Sequence, residues 1–253
     1  IVGDRGTLLR SNDGGRTWRA HGAPTEHSLY GLALTPDTRA WAVGNEGTLI
    51  AASSAAPEST GWESYSSNTS EVLSDIYFMN EDRGWIVGDA GTLLSTTDGG
   101  KTWYEKKTGV ERPFTAIDGS PKGRLLIVGH GGHVGATWRG GSWSHQESPT
   151  NRPLYALAFV DQARGWAVGS DGVILHTEDG GKSWRSQESG TTVSLQGVHF
   201  EDGRVGWAVG AGGLILHTRD GGKSWERQES GTSADLAAVH FVDRRKGWAV
   251  SWR

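Results

Sequence analysis

At 253 residues, with a formal charge of −4 and both signs dispersed along the chain, the sequence carries no polybasic footprint for nucleic acid. Hydrophobic residues make up only 35% while glycine reaches 39, which argues against long buried helices, and no stretch approaches the roughly 18 apolar residues of a membrane-spanning helix. Cysteine is absent, which excludes disulfides and thiolate metal sites and leaves the redox compartment open.

The chain opens on "IVG" at Ile1, already inside a pattern that returns at Trp41, Trp85, Leu126, Trp166, Trp207 and Trp248. The spacings are 44, 41, 40, 41 and 41 residues, a true period that marks a repeat architecture. The repeat divides one domain into units of about 1–24, 25–68, 69–109, 110–149, 150–190 and 191–231, with a partial unit at 232–253. A leader removed before Ile1 would leave no trace in such a sequence.

Within each unit the chain reads as four short strands. In the last units "LAAVHF" and "WAV" are two of them, and "GLILHT" and "SWERQES", separated by "DGG", are the others. β-branched and aromatic residues alternate with Gly/Asp punctuation, and no window carries a 3.6-residue apolar stripe. Four-stranded units of this length predict an all-β fold, a β-propeller with a repeat of about 41 residues, whose blades bury their faces only against neighbours. The distance from the first-strand marker (Leu29, Leu73, Phe114, Leu154, Leu195, Leu236) to the next Trp slot is always 12, and from the late Trp to the next marker always 11. The middle piece alone varies, with 21 residues from Trp41 to Trp62 and 17 from Leu126 to Trp143 against 18 elsewhere. All length variation therefore falls in one hairpin. Seven second strands accompany six first strands and six final hairpins, which gives a seven-bladed propeller incomplete at both ends. The alternative is six blades, with Leu236–Phe241 joining the first unit; unfinished edges would promote association.

An acidic box recurs in that hairpin as "SNDGGRTW", "TTDGGKTW", "TEDGGKSW" and "TRDGGKSW". Its carboxylates are Asp13, Asp98, Asp179 and Asp220, and its tryptophans are Trp18, Trp103, Trp184 and Trp225. An Asp opening a tight turn accepts nearby N–H groups, Gly supplies positive φ, and Trp packs between blades. A catalytic carboxylate would be expected once, in a cleft, so a structural role follows. The box resembles the Asp-box of sialidase-type propellers. The larger units "FVDQARGWAVGSDGVILHTEDGGKSW" and "FEDGRVGWAVGAGGLILHTRDGGKSW" are similar to the photosystem II stability/assembly factor family. The resemblance spans nearly the whole chain and weakens in the second and fourth units. It implies a non-enzymatic, seven-bladed propeller outside the cytoplasm, in a periplasm or thylakoid lumen or secreted. Such a propeller would bind a protein partner, a subunit of a membrane complex under assembly.

Candidate binding residues lie outside the box. A basic residue precedes each second strand (Arg39, Arg83, Arg124, Arg164, Arg204, Arg245), and equal spacing would set these on one rim, as a broken positive ring for an acidic segment. The competing reading is local turn salt bridges with Asp37, Asp82, Asp161, Asp202 and Asp243. Trp138 and Arg139, in the irregular fourth unit, break the Trp pattern and are further partner-binding candidates, while Trp252 lies in the tail. His176/His217 and His199/His240 are repeat-equivalent, and distance along the ring argues against either pair sharing an ion; His130 and His133 lack a third ligand. No metal, cofactor or catalytic residue is expected. The alternative is a carbohydrate-active Asp-box hydrolase of sialidase or xyloglucanase type. Asp75, Asp118 and Asp235 would be its least poor carboxylates, but no loop insertion builds a cleft.

Overall fold

The computed structural model describes residues 1–52, 61–119, 123–138 and 140–251. The described residues form seven antiparallel sheets, within two compact units, Ile1–Phe114 and Thr115–Arg253. The first unit holds a three-stranded sheet (Val2–Gly3, Thr7–Arg10, Arg19–His21) and two four-stranded ones. These are Leu29–Leu34, Ala40–Gly44, Leu49–Ala52, Trp62–Ser64, and then Leu73–Phe78, Gly84–Gly88, Leu93–Thr96, Tyr104–Glu105. The fourth sheet (Phe114–Gly119, Arg124–Gly129, Val134–Trp138, Ser144–Gln146) begins at the division. The fifth (Leu154–Phe159, Gly165–Gly169, Ile174–Thr177, Arg185–Gln187) and sixth (Leu195–Phe200, Gly206–Gly210, Leu214–Thr218, Glu226–Gln228) follow. In the seventh, Leu236–Asp243 pairs with Lys246–Ser251 in a sheet of its own. Every four-stranded sheet is a meander in chain order, the construction of a propeller blade.

Packing follows from the second strands. Gly165–Gly169 and Gly206–Gly210 are buried at every residue, because a sheet lies over each of their faces. The Trp of one sheet meets the first-strand Phe of the next: Trp166 stacks on Phe200 at 3.6 Å and Trp207 on Phe241 at 3.5 Å. On its other face Trp166 carries His176 at 4.6 Å, and Trp207 carries His217 at 5.0 Å. The glycine before the Trp makes room for its own sheet's Phe, since a Cβ on Gly206 would fall 2.4 Å from the Phe200 ring.

The turn after each second strand fixes the crossing to the next sheet. In Asn45–Gly47, Glu46 and Gly47 both take left-handed φ, 54° and 66°. A Cβ on Gly47 would sit 1.9 Å from the Thr69 carbonyl oxygen, and its N–H donates to the Glu71 carbonyl at 2.9 Å. The connector, constant in length in the sequence, is therefore laid directly on this turn. Gly172 makes the same approach to Thr191 and Gly213 to Thr232. Only a residue without a side chain fits there.

Candidate partner-binding rim

In the third, fifth and sixth sheets the Asp-box hairpin closes the end that also carries the arginine-bearing turn. In the fifth sheet Thr177 Oγ1 donates to Asp179 Oδ1 at 2.9 Å and accepts the Gly181 N–H at 2.8 Å. Asp179 Oδ1 accepts the N–H groups of Lys182 and Ser183, both at 2.9 Å, and its Oδ2 accepts the Ser183 hydroxyl at 2.6 Å. Asp13, Asp98 and Asp220 repeat this pattern with Ser11 and Thr17, Thr96 and Thr102, and Thr218 and Ser224. The Thr102 and Ser224 hydroxyls, with the backbone N–H of the same residues, hold Asp98 and Asp220 at about 2. Burial pushes Asp179 upward, but its combined hydrogen bonds outweigh this and set it at about 2; Thr17 holds Asp13 far below the carboxylate range. These carboxylates are committed to their own hairpins. None has a proton to donate near neutrality. Three of the hairpins also donate to the neighbouring turn of their own sheet, Gly99 to Asp82, Gly180 to Ala163 and Gly221 to Arg204. The box tryptophans vary in depth, Trp103 at 2% and Trp184 at 7% exposure against 38% for Trp18, with Trp225 half-buried.

The six arginines separate into two groups. Arg39 is packed inward: its guanidinium carbon lies 4.5 Å from the Trp41 ring centroid and it hydrogen-bonds the Tyr65 hydroxyl. Arg124 is half-buried and donates to Gln146 at 3.5 Å, and Arg164 pairs with Asp161 at 2.6 Å. Arg83, Arg204 and Arg245 are exposed. The equal spacing expected from the sequence fails at the last two. Arg39, Arg83, Arg124 and Arg164 stand two residues before their Trp slot, whereas Arg204 and Arg245 stand three before it. The turns show the shift, because Asp161 accepts the N–H groups of Ala163 and Arg164, while Asp202 accepts those of Arg204 and Val205. The true counterpart of Arg39 in the last unit is Lys246, whose Nζ lies 5.3 Å from the Trp248 ring. Local salt bridging occurs at Arg164–Asp161. Asp202 instead pairs with Arg244 of the next turn, and Asp37 accepts the Thr35 hydroxyl.

Between the fifth and sixth sheets this end opens into a groove of about 670 Å³. Arg164, Arg185, Arg204 and Lys223 line it, with Glu178 and the box residues Asp179 and Asp220, and His176 forms part of its lining. The two box carboxylates face their own hairpins, so the groove offers an incoming chain more cationic donors than free acceptors. In the fourth sheet the box is degenerate: "TWRGGSW" is one residue shorter and has Arg139 in place of the Asp. Thr137 Oγ1, which would donate to that Asp, is buried with no partner among the described residues. Trp138, at the end of its strand, is 57% exposed. Arg139 and Trp252 lie outside the described residues.

One inference about the histidines needs correction. His199 and His240 lie on first strands of adjacent sheets, and their rings meet at 4.9 Å, so distance along the ring does not keep this pair apart. Among the described residues no group of three or more His, Asp or Glu side chains could hold a metal. His133 contacts His145 at 5.2 Å and His130 lies 6.5 Å from Tyr155. The singled-out acids are dispersed in separate hydrogen bonds: Asp75 accepts from Ile76 N–H, Asp118 from Gly119 and Phe159 N–H, and Asp235 from Gly212 N–H.

The model of the family described as photosynthesis system II assembly factor YCF48 matches residues 54–132 and 135–234, more than half of the chain. The chain belongs to this family. No curated protein sequence matches it. Among solved structures it is similar to YCF48 bound to a D1 peptide, at 18% identity and a TM-score of 0.79, covering 98% of this chain and 83% of that one. It is also similar to YCF48 from Cyanidioschyzon merolae (20% identity, TM-score 0.78, 98% and 86% covered). The WD40 propeller domain of Doa1 matches at 12% identity and a TM-score of 0.75, covering 94% and 80%. The fold shared with all three is the β-propeller. Among the described residues no helix is long and apolar enough to cross a membrane.

Proposed function

We propose that this member of the assembly-factor family is a non-catalytic docking scaffold. It binds a segment of a membrane-complex subunit along the arginine-bearing rim, and it works outside the cytoplasm. The observation that carries the reading is the groove between the fifth and sixth sheets, where Arg185, Arg204 and Lys223 stand exposed. A guanidinium presents a planar fork of donors to carboxylates and peptide carbonyls. The YCF48 structure with a D1 peptide supports a photosystem II subunit as the class of partner. The degenerate box of the fourth sheet, with exposed Trp138, adds an aromatic contact to the same kind of surface. Packed inward, Arg39 serves its own sheet rather than a partner.

The test is a titration of a labelled D1 peptide against the wild type and the Arg204→Glu/Lys223→Glu variant. Charge reversal in the groove is expected to weaken binding about tenfold or more and to flatten its salt dependence. Unchanged affinity in a variant that remains folded overturns the docking site. In parallel, chromogenic glycosides should show no turnover. Hydrolysis abolished by a single carboxylate substitution would contradict the non-catalytic reading.

A further inference from the structure

One face of the fifth sheet carries Trp166, His176 and Arg185 in a row, since His176 is paired with Trp166 on one side and with Arg185 on the other. His176 and Arg185 both line the groove, and the imidazole lies flat on the Trp166 ring, 4.6 Å away at 16°. Its Nε2 is buried with no partner among the described residues. The sixth sheet repeats the row as Trp207, His217 and Glu226. There the histidine has a carboxylate of its own sheet opposite it, and Glu226 also pairs with Arg219 at 3.9 Å. In the fifth sheet the two positions exchange sign, with Glu178 for Arg219 and the exposed Arg185 for Glu226.

We infer, on the strength of the docking groove proposed above, that His176 takes up a proton as an Asp or Glu side chain of the partner seats on Arg185. The groove thereby prefers a carboxylate to its amide and holds it more tightly as pH falls. In the free groove burial lowers the His176 imidazole below its ordinary range; Glu178 opposes this, while Arg164 and Arg185 add to it. The ring is therefore neutral near pH 7. From the sixth sheet Arg204, Lys223 and Asp220 face the groove, and from its own hairpin Asp179. Both box carboxylates are held at about 2, so across the range from pH 7.5 to 5.5 they supply a constant field. A partner carboxylate on Arg185 offsets the cation opposite the ring and favours the imidazolium. The coupling is reciprocal: the factor by which the docked carboxylate raises the proton affinity of His176 is the factor by which the proton raises affinity for the carboxylate. Binding is thus gained as pH falls through about 6.5 and is lost again near about 4, where the partner's own carboxyl is protonated.

The labelled D1 peptide, titrated at about pH 7.5 and 5.5 against the wild type, His176→Gln and His217→Gln, tests this. The peptide's own titration is common to all three proteins, so a difference between them belongs to the histidine. On lowering the pH the wild type should gain about threefold to tenfold more affinity than His176→Gln, and His217→Gln should match the wild type. A peptide with Asn and Gln in place of Asp and Glu should show no such gain; a gain that survives in it overturns the assignment. Equal pH dependence in the wild type and His176→Gln also overturns it and leaves the docking groove standing. Failure of the groove itself shows differently, as binding that ignores Arg204→Glu/Lys223→Glu at both pH values. If His176→Gln does not fold, the imidazole titrations of the wild type decide by NMR. On saturation with peptide the His176 midpoint should rise by about half a unit to one unit while that of His217 stays in place, and an unmoved His176 midpoint overturns the inference.

Discussion

At the scale of single residues, environment decides between chemically similar side chains. Asp118 lies between the first strands of the fourth and fifth sheets, where burial pushes its carboxyl up to about 6 despite two N–H donors. Burial lowers His199 to about 4, with His240 adding to the effect. The signs are opposite in effect. A raised carboxyl favours the native state at low pH, and that contribution is lost as pH rises through about 6; a lowered imidazole contributes above about 6.5, and that is lost as pH falls toward 4. In urea titrations the stability of the wild type relative to Asp118→Asn should therefore grow as pH falls from 7 to about 4, while its stability relative to His199→Gln should shrink. Parallel pH profiles for wild type and either variant would remove that residue from the account. The sequence named Asp118 and His199 but could not assign their shifts, because neither residue's depth is encoded by its neighbours in the chain. Arg204 is instructive in the same way. A basic residue before each second strand was visible, and so was the one-residue offset at Arg204; what the structure adds is that Arg204 stands exposed while Asp202 pairs with Arg244.

At the scale of the hairpin and the turn, most of the structure was legible. The acidic box, its Ser/Thr partners and its place between third and fourth strands all follow from four copies in one chain. Replacing Asp179 by Ala strips acceptors from Thr177, Lys182 and Ser183 at once and should lower the unfolding midpoint by several degrees, with little change in peptide affinity. An unchanged midpoint would mean that the hairpin closes without its carboxylate. The turn after the second strand was less legible. Its glycines look like ordinary punctuation, yet Gly172 has φ of 71° and would bring a Cβ to 2.1 Å from the Thr191 carbonyl oxygen. Gly172→Ala should cost about 2 kcal/mol or more, measured by urea unfolding, through left-handed strain and that contact. A loss below about 0.5 kcal/mol would show that the connector yields easily. What hid this constraint is that the partner, a connector carbonyl, leaves no side-chain signature.

For the whole molecule, the period fixed the fold class because every blade repeats the same burial problem, and repeated solutions are audible in a single sequence. The features that carry function are the departures: Arg139 where the box has Asp, Trp138 exposed beside it, and the outward turn of Arg204. A departure is read against few or no copies, so the exposure of Trp138 and Arg204 came from the structure. The central claim is that a partner segment docks on cations left available because the neighbouring carboxylates are tied into hairpins. It is tested most directly by the affinity of the subunit peptide at two salt concentrations for the wild type and the Arg204→Glu/Lys223→Glu variant, with folding verified by circular dichroism. The account predicts salt-sensitive binding that falls about tenfold or more in the folded variant. Equal, salt-independent affinity for both proteins would contradict it.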